Sequence, residues 1–112
     1  MDYDRFDVVI VPFPFTDKAQ AKRRPALIVS ANAAFNKKAG HSVMAMITSA
    51  NNPPWPLDVP VSDLAAAGLP APSIVRMKLF TLDHRFIVAK RGTLSDKDRK
   101  AVSRALKAVL EF

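Results

Sequence analysis

Two arginines and a threonine are the side chains of this 112-residue sequence with the clearest capacity for chemistry. Arg24 stands where a charged loop meets a predicted strand, Thr48 ends another strand, and Arg76 lies within a later one. A guanidinium presents a planar fork of donors that matches phosphate oxygens, and a hydroxyl at a strand end can bind the same group. Ordinary explanations stay open: a surface ion pair for Arg24, a strand-forming residue in Thr48, and a charge at the sheet edge for Arg76.

These groups suit the cleavage of RNA through its own 2′-hydroxyl, which needs no external nucleophile. The reaction needs a base for the hydroxyl proton, an acid for the leaving 5′-oxygen, and positive charge around the phosphorane. The sequence lacks the patterns of several other sites: it has no glycine-rich phosphate loop, no cysteine, no clustered metal ligands and no suitable carboxylate pair. We therefore expect an enzyme of this kind to work without a metal or another cofactor.

The distribution of charge favours a polyanion or an acidic protein as partner. Seventeen lysines and arginines against ten acids give a formal charge of +7. No acid occurs between Asp17 and Asp58, and none occurs in residues 64–82. Positive charge left unpaired over such lengths is what a groove that follows a phosphate backbone needs. A basic surface that only keeps the protein soluble is the alternative.

A loop rich in asparagine and proline follows Thr48. The amides of Asn51 and Asn52 and the indole of Trp55 could hydrogen-bond to unpaired bases and stack on them. The alternative is a proline-rich turn in which Trp55 covers the core.

Short strands and one terminal helix must position these groups. Ser95 is a good N-cap, Asp96 and Asp98 follow in the first turn, and apolar residues then recur at helical spacing, at Val102, Ala105, Leu106, Val109 and Leu110. Residues 62–68 suggest a short capped helical turn, and residues 31–42 a connection with one turn. Strands are predicted at residues 7–13, 25–30, 43–49, 57–61, 73–79 and 86–89.

This order of elements predicts a mainly β protein, a compact barrel or half-open sheet with a C-terminal helix. We expect residues 1–112 to form one domain, because a second core would have too little apolar surface. The acidic, polar N-terminus does not resemble a signal peptide and no segment suits a bilayer, so we expect a cytoplasmic protein without membrane contact.

Five blocks of the sequence resemble the MazF/PemK family of toxins, in particular its PemK-like branch. The arginine–proline strand and the threonine–serine strand end are among them. The blocks follow family order over nearly the whole chain, at residues 6–17, 22–30, 47–49, 68–83 (without 70, 71 and 77) and 91–95. Any one tripeptide is weak, whereas five blocks in register are specific.

The resemblance implies an SH3-like barrel of twisted antiparallel strands, of the MazF/CcdB type, and a homodimer. It implies a sequence-specific endoribonuclease that cleaves single-stranded RNA without a metal, leaving a 2′,3′-cyclic phosphate and a 5′-hydroxyl. It also implies an acidic cognate antitoxin, in agreement with the positive charge.

The family's catalytic positions fall on the three residues already considered. Arg24 is expected to stabilise the phosphorane, and Thr48 to orient the scissile phosphate. Arg76 matches an arginine that the PemK-like branch uses. The residues expected to bind RNA are Lys18, Lys22, Arg23, Ser49, Asn51, Asn52, Trp55 and Lys78.

Two departures from the branch leave the proton acceptor open. Lys78 stands where the branch carries an acid, and residues 14–23 contain no histidine. His41 and His84 are alternatives, although a surface or turn histidine is the ordinary interpretation. Two other functions stay open: a gyrase poison of the CcdB type on the same barrel, and a module that binds RNA without cleaving it because Lys78 replaced the acid.

Overall fold

A single antiparallel sheet dominates the computed structural model of the chain, which describes residues 2–13 and 22–112. Within those residues six strands hydrogen-bond in the order β4-β5-β3-β2-β1-β6. The strands are β1 Asp7–Phe13, β2 Lys22–Ile28, β3 His41–Ser49, β4 Val59–Pro60, β5 Ser73–Asp83 and β6 Ala89–Thr93.

Short helical segments connect the strands. A π-helical turn, Asn32–Asn36, runs into α1, Lys37–Ala39, and a 3-10 turn, His84–Phe86, precedes β6. The helix α2, Leu64–Ala67, begins after Asp63, whose carboxylate accepts from the Ala66 amide at 3.0 Å, and it ends at Gly68 with a φ of 69°. Local capping chemistry therefore sets both ends of this helix.

The long helix α3, Asp96–Leu110, covers one face of the sheet, which we call the helix face. Because side chains alternate along a strand, every second residue points toward this helix. Its core joins strand residues to the apolar stripe of α3: Val8, Leu27, Ala45, Ile47, Val75, Leu94, Val102, Ala105 and Leu106. The opposite face has a second, smaller core that includes Val9, Val11, Ala26, Ile28 and Met44.

The sheet curls until α2 meets β6, so the elements at its two edges touch. A Cβ added at Gly68 would lie 2.3 Å from the carbonyl oxygen of Arg91, and one at Gly92 would lie 2.3 Å from that of Ala66. Only glycine permits backbones to pack this closely. The predicted fold, a small SH3-like barrel of mainly β structure with a C-terminal helix, is confirmed.

Two predicted features of the local structure are wrong. Residues 86–89 were expected to be a strand, yet His84–Phe86 forms a helical turn, and the strand begins at Ala89. The Asp83 carboxylate accepts from the Arg85 amide at 2.8 Å and starts that turn. The last part of the apolar stripe also fails to pack, because Val109 and Leu110 are exposed.

Strand boundaries differ as well, since β2 begins at Lys22 and β5 runs on to Asp83. Among the described residues, no helix combines the length and the apolar character needed to cross a membrane.

Candidate active site

The register of three neighbouring strands brings Arg24, Thr48 and Arg76 to the same face of the sheet, opposite α3. Met46 pairs with Ala26 on β2 and with Arg76 on β5. Continuing the β2–β3 register by two residues places Arg24 opposite Thr48. Because neighbouring strands lie about 4.8 Å apart, β2 and β5 are separated by roughly 10 Å. We call this region, with the loop of residues 50–58 beside it, the site face.

Arg24 carries a buried donor that lacks a partner. Its guanidinium lies 5.8 Å from the centroid of the Phe13 ring, and its Nε atom is buried without a hydrogen bond to any described residue. A buried donor left in this state costs free energy, and such groups are rare in proteins. An anionic oxygen brought by a ligand would satisfy it.

Thr48 supports the loop that follows β3. The Asn52 side-chain amide donates to Thr48 Oγ1 at 2.5 Å, and the Asn52 backbone amide donates to the Ser49 carbonyl oxygen at 3.1 Å. The Asn51 amide donates to Ser49 Oγ at 3.2 Å. The three residues Ser49, Asn51 and Asn52, predicted to bind RNA, are exposed beside Thr48.

Arg76 is engaged by Asp58, a residue that the sequence did not single out. Arg76 Nε donates to Asp58 Oδ1 at 3.1 Å, and Nη2 donates to Oδ2 at 3.0 Å. Both side chains are nearly covered, with exposures of 11% and 13%. The hydrogen bond from Arg76 lowers the pKa of Asp58, and the same bond raises the pKa of Arg76.

The prediction that the positive charge of residues 64–82 is unpaired is therefore wrong for Arg76. The carboxylate comes from outside that stretch, because β4 pairs with β5 and brings Asp58 next to Arg76.

Trp55 stands at the rim of the site face, between two cations. Its ring centroid lies 4.6 Å from Lys78 Nζ and 5.8 Å from the Arg76 guanidinium carbon, and the residue is 43% exposed. Trp55 is not among the residues of either core cluster, so its observed contacts favour the rim position over the alternative in which it covers the core.

Lys78 owes its position to an irregularity in β5, because the register against β3 shifts between Arg76 and Leu79. Such bulges re-aim side chains and are common beside active sites. A pocket of about 240 Å³ adjoins Lys78, lined also by Phe13, Met46, Leu79 and Phe80.

The other predicted RNA-binding residues divide by their position on β2. Lys22 pairs with Phe13 and shares the side of Arg24, whereas Arg23 pairs with Pro12 and so points to the other side of the strand. Both are exposed. Lys18 lies outside the described residues.

Neither histidine lies near Thr48. His41 begins β3 and Thr48 lies near its end, about 23 Å away at the usual rise of a strand. His84 hydrogen-bonds through Nε2 to the Ser42 hydroxyl at 2.7 Å and packs on Tyr3, and burial lowers the pKa of its imidazole. The described residues also bring together no three histidine, cysteine, aspartate or glutamate side chains that could hold a metal ion.

Comparisons with known proteins agree with this architecture. The model of a family described as PemK-like, MazF-like toxin of type II toxin-antitoxin system matches residues 4–110. At the level of sequence, no curated protein matches the chain.

Three solved structures share the fold over at least 95% of both chains. MazF from Deinococcus radiodurans is 21% identical with a TM-score of 0.77, over 100% of this chain and 99% of that one. An endoribonuclease from a mycobacterial species, solved with its cognate antitoxin, is 18% identical with a TM-score of 0.75, over 99% and 95%. The toxin MazF-mt6 of Mycobacterium tuberculosis is 21% identical with a TM-score of 0.75, over 95% and 97%.

Proposed function

The chain belongs to the family of PemK-like, MazF-like toxins of type II toxin–antitoxin systems, and we propose that it is an endoribonuclease whose active site is the site face. It cleaves single-stranded RNA at a short sequence motif and needs no metal ion. The 2′-hydroxyl of the RNA attacks the adjacent phosphate, which leaves a 2′,3′-cyclic phosphate and a 5′-hydroxyl end.

The buried Nε of Arg24, which finds no acceptor among the described residues, is the observation that carries this proposal. A phosphate oxygen bound there satisfies the donor, and the guanidinium stabilises the charge that develops on the phosphorane. Thr48 lies on the next strand and on the same side, so its hydroxyl orients the scissile phosphate. Arg76 belongs to the same site, although its bonds to Asp58 favour a role in holding the site.

Positive and aromatic side chains around Arg24 and Thr48 suit an unpaired RNA strand. Lys22 and Lys78 stand beside Arg24 and Trp55 respectively, where they contact backbone phosphates. Trp55, with Asn51 and Asn52, meets the bases.

We further propose a homodimer that acts in the cytoplasm and is inhibited by an acidic antitoxin. A related mycobacterial endoribonuclease has been solved in complex with its cognate antitoxin. An acidic segment that covers the basic site face would exclude RNA by occupying the same charges.

The test is incubation of the purified chain with a long single-stranded RNA in excess EDTA, followed by mapping of the fragment ends. Discrete cuts with 5′-hydroxyl ends are expected, and Arg24→Ala and Thr48→Ala should each abolish them while the fold is retained. Cleavage that EDTA stops contradicts metal independence. If the RNA is bound but stays intact, the chain is the module that binds RNA without cleaving it. If the RNA is neither bound nor cut, the gyrase poison is the remaining alternative.

A further inference from the structure

The loop of residues 53–58 is held in one shape by contacts that converge on Asp58. The Trp55 amide donates to Asp58 Oδ2 at 2.9 Å, and the Asp58 amide donates to the Trp55 carbonyl oxygen at 3.2 Å. Arg76 Nη2 also donates to the carbonyl oxygen of Pro53 at 2.8 Å. One ion pair thus fixes the loop at both of its ends.

The turn inside this loop is strained. Pro56 and Leu57 are its central residues, and Leu57 has a φ of 65°. A turn with proline first and a positive φ second normally has glycine or asparagine at the second position. A leucine held there is strained, and such strain persists where the surroundings impose the conformation.

The consequence of this rigid loop is the position of Trp55. Arg76 and Lys78 lie against its ring, and part of the ring remains open to solvent. An exposed indole beside a lysine suits a nucleobase that stacks on the ring while its phosphate meets the ammonium group.

The hydrogen bonds between Asp58 and Arg76 argue against a direct role of either side chain in the cleavage reaction. Both oxygens of Asp58 accept hydrogen bonds, and Nε and Nη2 of Arg76 are occupied. Transfer of a proton by Asp58, or capture of a phosphate by these Arg76 donors, would require the loop to open.

We infer that Asp58 is a positioning residue: through Arg76 it holds Trp55 at the rim of the site face, where Trp55 stacks an unpaired base of the substrate and contributes to the choice of cleavage sequence. This inference rests on the proposed ribonuclease function. It assigns to Asp58 a role in substrate binding and none in the chemical step.

The experiment compares Asp58→Asn with the wild type in cleavage and in binding. Cleavage kinetics use an RNA with the mapped cleavage sequence, and binding uses the same RNA with a 2′-deoxy substitution at the cut. Since Trp55 is the single tryptophan of the chain, its fluorescence reports binding at the proposed position.

Asp58→Asn is expected to raise KM and the Kd of the deoxy RNA by roughly tenfold, the size of one lost stacking contact, with kcat kept within about threefold. Arg76→Lys, which keeps the charge without the two-pronged bond, should act in the same way. Asp96→Asn removes the same charge from the exposed start of α3 and serves as the matched control with unchanged KM.

A double variant separates positioning from an independent contribution. Trp55→Ala should raise KM as Asp58→Asn does, and the double variant should be no worse than Trp55→Ala alone. The inference is overturned if the effects of Trp55→Ala and Asp58→Asn on KM add in full in the double variant. It is also overturned if Asp58→Asn lowers kcat and leaves KM unchanged.

If Asp58→Asn does not fold, Arg76→Lys and the Trp55→Ala comparison decide in its place. A wild-type chain that cleaves RNA while these variants keep their KM overturns this inference alone. If the wild type binds RNA without cutting it, the inference is tested by the Kd values of the wild type and the variants for the intact RNA. A wild type that neither binds nor cleaves RNA overturns this inference together with the proposed function.

Discussion

The two faces of the sheet differ in whether their buried polar groups have hydrogen-bond partners. On the helix face, the Asp98 carboxylate is only 2% exposed and is fully bonded, since it accepts from the Ser62 amide and hydroxyl and from the Asp63 amide at 2.7–3.1 Å. On the site face, the Nε atom of Arg24 is buried and the described residues offer it no acceptor.

The difference agrees with the proposed roles of the two faces, stability for the helix face and ligand binding for the site face. A buried polar group that only stabilises the fold is normally satisfied by the chain itself, because the missing bond costs free energy. An incomplete group that persists beside an exposed aromatic ring, here Phe13, is expected where a ligand completes it.

The two carboxylates of these faces sharpen the comparison. Burial of Asp98 opposes its ionisation, but the hydrogen bonds from Ser62 and Asp63 outweigh burial and lower its pKa. For Asp58 the largest cause of the lowered pKa is the hydrogen bond from Arg76. Asp98 therefore links α3 to the backbone at Ser62 and Asp63 through neutral donors. Asp58, in contrast, fixes the charged side chain of Arg76 at the rim of the site face.

Arg24→Ala should produce the largest separation of the two faces. We expect kcat for RNA cleavage to fall about a thousandfold, as for the loss of a group that stabilises transition-state charge. The thermal midpoint should stay the same or rise, because a buried unpaired donor disappears. Single-turnover cleavage and thermal denaturation check this, with Arg104→Ala on the exposed side of α3 as the control; cleavage at the wild-type rate would contradict it.

Gly68→Ala should destabilise the whole fold, and with it both faces of the sheet, because it opens the contact between α2 and β6. The added methyl group meets the Arg91 carbonyl and the residue keeps a positive φ, so we expect a loss of roughly 3 kcal/mol in the free energy of unfolding. Gly40→Ala is the matched control: it has a φ of 65° but no atom within 4 Å of the new methyl, and should lose about 1 kcal/mol. Urea denaturation measures both, and equal losses would show that the close approach is unimportant.

Asp98→Asn should affect stability and leave the chemistry unchanged. We expect a loss of about 2 kcal/mol at pH 7, with the kcat of the folded protein unchanged. Because the folded pKa of Asp98 lies below its ordinary value of 3.8, its contribution is complete above that pH and is lost as the pH falls through the folded value.

The difference in stability between wild type and Asp98→Asn should therefore shrink below pH 4. Urea midpoints at pH 7 and pH 3 test this, and a difference that persists at pH 3 would show that ionisation of Asp98 is not its source.

His41→Ala should have the smallest effect. The imidazole lies at the far end of β3 and is partly exposed, so we expect cleavage within about twofold of wild type and a change in stability below about 0.5 kcal/mol. The pH profile of kcat should also be unaltered. A large loss of kcat would make this histidine part of the site and would require a different path for the RNA.

Local signals were sufficient to predict the helices. Ser95 and the apolar stripe that follows it define the start and the packing of α3, and Asp63 with Gly68 delimits α2. The same kind of signal was missed at Asp83, where a side-chain bond to the backbone overrides the strand propensity of residues 86–89.

The arrangement of the site depends on pairing between distant strands, and this limited the prediction. Arg24, Thr48 and Arg76 were identified individually and through the family resemblance, but no spacing in the sequence shows that they share one face. Asp58 was missed because a strand at residues 57–61 could be predicted but its partner could not, so nothing in the sequence indicates the register of β4 with Arg76 on β5. The bulge that positions Lys78 likewise arises from pairing with β3.

The most direct test of the site face is a crystal structure of the chain with an RNA whose cleaved nucleotide lacks the 2′-hydroxyl. We predict that oxygens of the scissile phosphate lie within hydrogen-bond distance, about 2.7–3.2 Å, of Arg24 Nε and Thr48 Oγ1. RNA bound on the helix face, or on the site face with Arg24 Nε still without a partner, would contradict the proposed active site.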